Sequence, residues 1–532
     1  MAAENPEVKL EGGRLKGGRM VDLDGNGFYC FLGIPYAKPP VGQLRFKAPE
    51  PAEPWEGVLD ATKDGSCCYQ RDFLDLTKLD GSEDCLNLNV YTKTLPSEHS
   101  SPKPVMVYIH GGAFTSGSNK STIQGPHYLM TEDVVLVVIN YRLAVLGFLS
   151  AEDDSLDVPG NAGLKDQTLA LKWVQRNIAK FNGDPGNVTI FGISAGGASV
   201  HYQVMSPTAK GLFHKAICQS GSVLNPWPYG RRNLLEFTQT IDENVKTEKE
   251  ALEVLRKVPI EKLYEYQEKY RTDKSELGTF APIIEHPNPT AFITKHPIEL
   301  ITSGQYNKVP LIFSYCSNEG LLIEIYDRLT RLAGKIPKET GFDSFFYNEM
   351  NLDKDSEVGK QICQMLSEFY TREDNLKDKF MLPSDFFFVA GIIAAVINHV
   401  KTSENPVYLY KMSYVGNQNL LKKMFRLDEY PGACHGDDMT YIFKCSKLPI
   451  AMGEDEEKTI RRFTKLLTNF ARNGNPTPSG NNLNITWQPA DEKTVNFLDI
   501  DKDLEVKSNP ESDRIELWRK IFKLCPATSK YL

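Results

Sequence analysis

Short apolar runs rich in β-branched residues punctuate the middle of the chain: Val105–Ile109, Val134–Tyr141, Val188–Phe191 and Lys215–Gln219. Continuous apolar character, as opposed to alternation, marks strands buried on both faces. Helical patterns lie between them. In the clearest, Leu164, Ala170 or Leu171, Val174, Ile178 and Phe181 recur on one helix face before Gly183 ends the segment. Buried strands alternating with helices predict an α/β fold, a central, mostly parallel twisted sheet with helices on both faces. The first hundred residues read differently. Gly12-Gly13, Gly17-Gly18, Gly25, Pro39-Pro40 and Gly42 separate brief β-type stretches such as Gly27–Gly33, which predicts a small N-terminal antiparallel sheet with loops. A charged, helix-rich stretch spans Arg231–Lys274, and strand patterns resume at Val309–Tyr315 and Pro406–Met412. No Ser/Gly or Pro linker and no repeat interrupts the chain, so residues 1–532 are read as one domain.

The longest apolar run, Phe386–Ile397, is shorter than the roughly 18 residues a membrane span needs. It reads as a buried helix with Ser384 or Asp385 as N-cap, and no membrane partner is expected. Composition adds mainly exclusions. With 41% hydrophobic and 24% charged residues over 532 positions, the chain is neither disordered nor collagen-like. The formal charge of -8 is spread without blocks, which argues against a nucleic-acid partner. Its densest acidic run, Glu454–Glu457, reads as a solvated loop or helix start. The opening MAAENPEVKL lacks a charged segment followed by an apolar one, so a cytoplasmic location is expected. Ten cysteines in so long a chain are too sparse for a disulfide scaffold and are read as reduced thiols, and Cys67-Cys68 cannot chelate zinc alone. Sequons at Asn119, Asn187 and Asn484 are then expected to stay unused.

Candidate chemistry lies at strand ends. After Val188–Phe191 stands Gly192-Ile193-Ser194-Ala195-Gly196, followed by a helix. A serine on so sharp a strand-to-helix turn needs small neighbours two residues either side, because larger side chains would clash where the backbone doubles back. After Val105–Ile109 stands His110-Gly111-Gly112-Ala113-Phe114. A glycine-rich turn there supplies main-chain N–H groups to an ester oxygen that gains negative charge, which assigns the oxyanion hole to Gly112, Ala113 and Ala195. A serine hydroxyl needs a histidine base oriented by a carboxylate, in chain order serine, acid, histidine. Glu319 follows the strand Val309–Tyr315, and His435, flanked by glycines, follows Pro406–Met412. Glu324, His399 and His296 are the weaker candidates, and Cys434 is a poor nucleophile because it adjoins its own base.

These residues resemble the type-B carboxylesterases of the cholinesterase-like α/β-hydrolase family, the insect carboxylesterases most. The resemblance spans nearly the whole chain in FLGIPYAKPPVGQLRF, SEDCLNLNVY, GNAGLKDQ, NVTIFGISAGGAS, QSGSVLNPW, SNEG and GACHGDD. It implies Ser194 as nucleophile, Glu319 as acid and His435 as base, with Ser220 supporting the acid and Trp227 lining the acyl pocket. It implies structural ion pairs Arg45 with Glu83 and Arg142 with Asp166, and a disulfide from Cys67 or Cys68 to Cys85 that a cytosolic chain would leave reduced. It also implies small-molecule ester substrates, organophosphates as covalent inhibitors, and no metal or organic cofactor. Three departures stand out. Ile193 occupies the place of the family's usual glutamate and of the glutamine of juvenile hormone esterases, which argues against juvenile hormone as substrate. Ala113 replaces a glycine, and no tryptophan lies between Cys68 and Cys85 to stack on a quaternary ammonium, so choline esters are not expected. The expected function is broad hydrolysis of xenobiotic or lipophilic esters. The alternatives are a slow sequestering esterase, a juvenile hormone esterase, or a neuroligin-like binding protein.

Overall fold

The computed structural model describes residues 5–532, apart from positions 73, 74, 76, 98, 275–277, 333–340, 348, 349 and 448–450. The runs expected as strands join others in an 11-stranded sheet. In chain order its strands are β1 (Gly18–Val21), β2 (Gly27–Pro35), β3 (Asn87–Thr92), β4 (Lys103–Ile109), β5 (Val135–Ile139), β6 (Gly183–Ile193), β7 (Lys215–Gln219), β8 (Leu311–Cys316), β9 (Val407–Met412), β10 (Asn496–Ile500) and β11 (Leu504–Ser508). Their order across the sheet is β11-β10-β9-β8-β7-β6-β4-β5-β3-β2-β1. From β10 through β5 the pairings are parallel, and antiparallel strands flank this centre at both edges. The small N-terminal sheet has three strands. Glu7–Lys9 and Arg14–Lys16 pair antiparallel, while Val58–Asp60 joins the second in parallel.

Principal helices are α1 (Ala162–Asn177), α2 (Ala195–Met205), α3 (Leu321–Leu332), α4 (Met381–Thr402), α5 (Glu454–Asn473) and α6 (Ser512–Lys523). Alternate residues of β4 face opposite layers. Val105, Val107 and Ile109 pack with residues of α1, α2, α4 and α6, while Met106 and Tyr108 pack with Ile460, Phe463 and Leu467 of α5. The acidic run Glu454–Glu457 forms the first turn of α5, where carboxylates complement the helix dipole, and Gly474 closes the helix at φ 71°.

Three expectations are corrected. Helix α4 starts at Met381, so Ser384 and Asp385 are interior and cap nothing; Pro383 is tolerated because it lies in the first turn, where an N–H has no helical partner. The whole of α4 is long and apolar enough to cross a membrane, but most of it is buried inside the fold. Finally, the cysteines are not all reduced. Cys68 and Cys85 form a disulfide, with Cα atoms 4.8 Å apart, and Cys67 stays a buried free thiol. Two sequon asparagines are held by other contacts. Asn119 is buried and donates to Asn87, and Asn187 accepts from Lys215 and donates to the Arg472 carbonyl.

Candidate active site

Strand β6 ends at Ile193 and α2 begins at Ala195, leaving Ser194 alone at the turn with φ 58° and ψ -124°. Non-glycine residues in such regions carry strain of about 1–3 kcal/mol and persist only where neighbours over-determine them. Those neighbours are visible. A Cβ on Gly192 would lie 2.4 Å from the Ile109 carbonyl oxygen, and one on Gly196 would lie 2.1 Å from it. The Ser194 N–H donates to the Gln219 carbonyl at 2.8 Å, and a Cβ on Gly221 would stand 2.2 Å from Ser194 O. The motif glycines are thus set by backbone contact between β4, β6, β7 and α2.

Glu319 and His435 follow neighbouring strands, β8 and β9, and their loops are stitched together. The Asn318 N–H donates to the Ala433 carbonyl at 2.9 Å, and the Ala433 N–H donates to Ser317 Oγ at 2.8 Å. His435 Nδ1 then meets Glu319 Oε2 at 2.5 Å. The other carboxylate oxygen accepts from Ser220 Oγ at 2.5 Å and from the Cys316 N–H at 2.6 Å. With an acidic partner on Nδ1, the proton belongs there and Nε2 is left as the basic nitrogen. Glu319 is fully buried, so the carboxylate depends on these donors. The weaker candidates lie elsewhere. Glu324 is in α3, paired with Arg328 and Lys379. His399 is a core residue whose Nε2 is 2.8 Å from that of His201, and His296 caps a short helix through Ile298. Cys434 is buried, and that burial holds its thiol well above the usual range.

Ser194, His435, Gly112, Ala113 and Trp227 line one cavity of about 540 Å³. Glu319, Ser220 and Ala195 stand behind that wall, fully buried. Gly112 and Ala113 adopt φ 111° and 53°, and among the described residues neither amide donates to a protein acceptor. Ala195 opens α2, where the first N–H groups have no helical partner. His110 anchors this loop. It stacks on Tyr141 at 4.5 Å, Tyr141 Oη donates to the His110 carbonyl at 2.9 Å, and burial pushes the imidazole down to about 4, so it is neutral near pH 7. The remaining wall is mostly apolar and includes Ile193, Leu322, Phe387, Phe388, Phe425 and Met439. Phe388 lies 4.5 Å from the His435 ring. Apart from Ile193, these residues were not singled out in the sequence. The run Phe386-Phe387-Phe388 was the available signal, and it is indistinguishable there from core.

This sheet order, with a cavity at the carboxyl ends of parallel strands, defines an α/β-hydrolase. The chain belongs to the carboxylesterase family, whose model it matches over residues 4–518, and it is a carboxylic ester hydrolase. It is 34% identical to a juvenile hormone esterase of Tribolium castaneum, over 97% of this chain and 94% of that protein. Esterase FE4 of Myzus persicae is also 34% identical, over 94% and 90%. Among solved structures, juvenile hormone esterase from Manduca sexta with OTFP covalently attached superposes with a TM-score of 0.86 at 30% identity, covering 98% of this chain and all of that one.

Proposed function

We propose that this protein hydrolyses lipophilic carboxylic esters through an acyl-enzyme formed on Ser194, and that residues 1–532 act as one catalytic unit. The observation that carries the reading is the buried Glu319–His435 pair opening into the cavity that holds Ser194. His435 Nε2 takes the Ser194 proton as the hydroxyl attacks the ester carbonyl. The oxyanion accepts from the amides of Gly112, Ala113 and Ala195, the alcohol leaves with the proton from His435, and water activated by the same nitrogen frees the acid. Glu319 holds the ring in position through its bond to Nδ1. The apolar wall favours uncharged, hydrophobic esters, which fits a role in detoxifying xenobiotics.

A second reading, juvenile hormone esterase, is favoured by the resemblance to two such enzymes and opposed by Ile193. A nitrophenyl ester panel with juvenile hormone and acetylthiocholine included separates the two. Ser194→Ala should lower ester turnover roughly 10⁴-fold or more. An organophosphate should label Ser194 once per chain, seen by mass spectrometry; a Ser194→Ala variant that keeps most activity would sink the assignment.

A further inference from the structure

Helix α4 departs from α-geometry beside the cavity. Asp385–Val389 is a π-turn, with the Ala390 N–H donating to the Asp385 carbonyl five residues back. Such widened turns are uncommon and cost regular hydrogen bonding unless outside donors compensate. Three donors do so in sequence. Tyr347 Oη donates to the Phe386 carbonyl at 3.1 Å, Trp227 Nε1 to that of Phe387 at 2.7 Å, and Asn225 Nδ2 to that of Phe388 at 2.8 Å. Asn225 is itself fixed, because its Oδ1 accepts the Ser222 N–H at 2.7 Å.

Close backbone contact adds to these bonds. A Cβ on Gly391 would lie 2.5 Å from the Leu224 carbonyl oxygen and 2.6 Å from Asn225 Nδ2, so α4 sits directly on the turn that leads from Gly221 to Trp227. On its other side, Asp385 accepts from Tyr370 Oη at 2.7 Å and lies 3.5 Å from Arg514 of α6. Ahead of the π-turn, Ser384 Oγ accepts the Gly320 N–H at 2.8 Å, next to Glu319. The turn is thus held on all sides, and it presents Phe387 and Phe388 to the cavity next to Trp227, with Phe388 against His435.

We propose that Tyr347 and Gly391, neither of which lines the cavity, are positioning residues that set the π-turn Asp385–Val389 and, through Phe387 and Phe388, the chain-length preference for one half of the ester. The proposal rests on the ester-hydrolysis reading. Tyr347→Phe deletes one donor without changing volume, and Gly391→Ala pushes α4 off the Leu224 turn. Both are to be assayed with two series: nitrophenyl esters of increasing acyl length, and acetate esters of increasing alcohol size. The expected result is a change in the ratio of kcat/KM between long and short members of one series, about threefold for Tyr347→Phe and tenfold for Gly391→Ala, with the other series unchanged in shape. A purely structural role would lower both series in parallel and leave both ratios alone, and that outcome, or no change in either, overturns the proposal. If Gly391→Ala does not fold, Tyr347→Phe decides alone. Failure of the underlying reading looks different, since the unaltered protein would then hydrolyse neither series and form no organophosphate adduct.

Discussion

At the scale of single residues, Ala113 is the departure with the clearest physical consequence. It holds φ 53°, where an L side chain costs about 1–2 kcal/mol, and its methyl is exposed into the cavity. Glycine would remove that strain but would lose about 0.5–1 kcal/mol through the greater freedom of the unfolded chain. The strain is the larger effect, so Ala113→Gly should raise the urea midpoint slightly and speed hydrolysis of branched acyl esters several-fold; a lower midpoint would show that the strain is not relieved there. The placing of Ser194 at a strand-to-helix turn, and of Glu319 and His435 in loops after buried strands, was legible in the sequence because their neighbours are constrained: small residues at an elbow, and polar residues directly after buried strands. Which of Cys67 and Cys68 pairs with Cys85 was not legible, because adjacent cysteines satisfy the same spacing. Only the fold turns Cys68 towards its partner and leaves Cys67 at the cavity.

The element that carries His435 shows what short-range pattern leaves out. After His435 comes the 3-10 turn Asp437–Tyr441, and Asp437 Oδ2 reaches back to accept the Cys434 N–H at 2.6 Å and Asn419 Nδ2 at 2.6 Å. The histidine loop is thereby braced by a buried carboxylate. Burial raises Asp437 to about 7 from 3.8. Because the folded state holds this proton more tightly than the unfolded chain, the folded protein binds more protons between pH 4 and 7, and stability falls as pH rises through that window. The loss is on the order of 1 kcal/mol for each unit of the shift. Asp437→Asn keeps an acceptor oxygen and removes the titration, so the fall in melting temperature from pH 5 to pH 8 should shrink relative to the unaltered protein. An unchanged pH dependence in differential scanning calorimetry would dissociate the group from it. Helix α4 escaped the sequence in the same way: its apolar run was legible, but its π-turn depends on donors from Tyr347, Trp227 and Asn225, far away along the chain.

Across the whole molecule, the parallel sheet was legible because strands buried on both faces leave unbroken apolar runs, whereas the hydrogen bonds that tie separate loops together were not. The Cys68–Cys85 disulfide, implied by the family resemblance without a choice between Cys67 and Cys68, braces one such set of bonds. It closes the segment carrying Gln70, whose amide holds the backbone N–H and carbonyl of one residue of the glycine-rich loop: Gln70 Oε1 accepts the Gly117 N–H at 2.6 Å and Gln70 Nε2 donates to the Gly117 carbonyl at 2.7 Å. Gly117 in turn crowds His110, since a Cβ there would lie 2.3 Å from His110 Nδ1. The bond therefore acts on the fold and on the loop bearing Gly112 and Ala113 together. A cross-link separated by 17 residues stabilises by about 3 kcal/mol through the unfolded chain. The Cys68→Ser/Cys85→Ser double variant should lose that much in urea unfolding and should also lose turnover at 25 °C, well below its transition, because the Gln70 grip loosens. Adding reductant to the unaltered protein should reproduce both effects. Unfolding curves that coincide with and without reductant would show that the cross-link contributes nothing to stability, and intact turnover in the double variant would show that the glycine-rich loop keeps its shape without it.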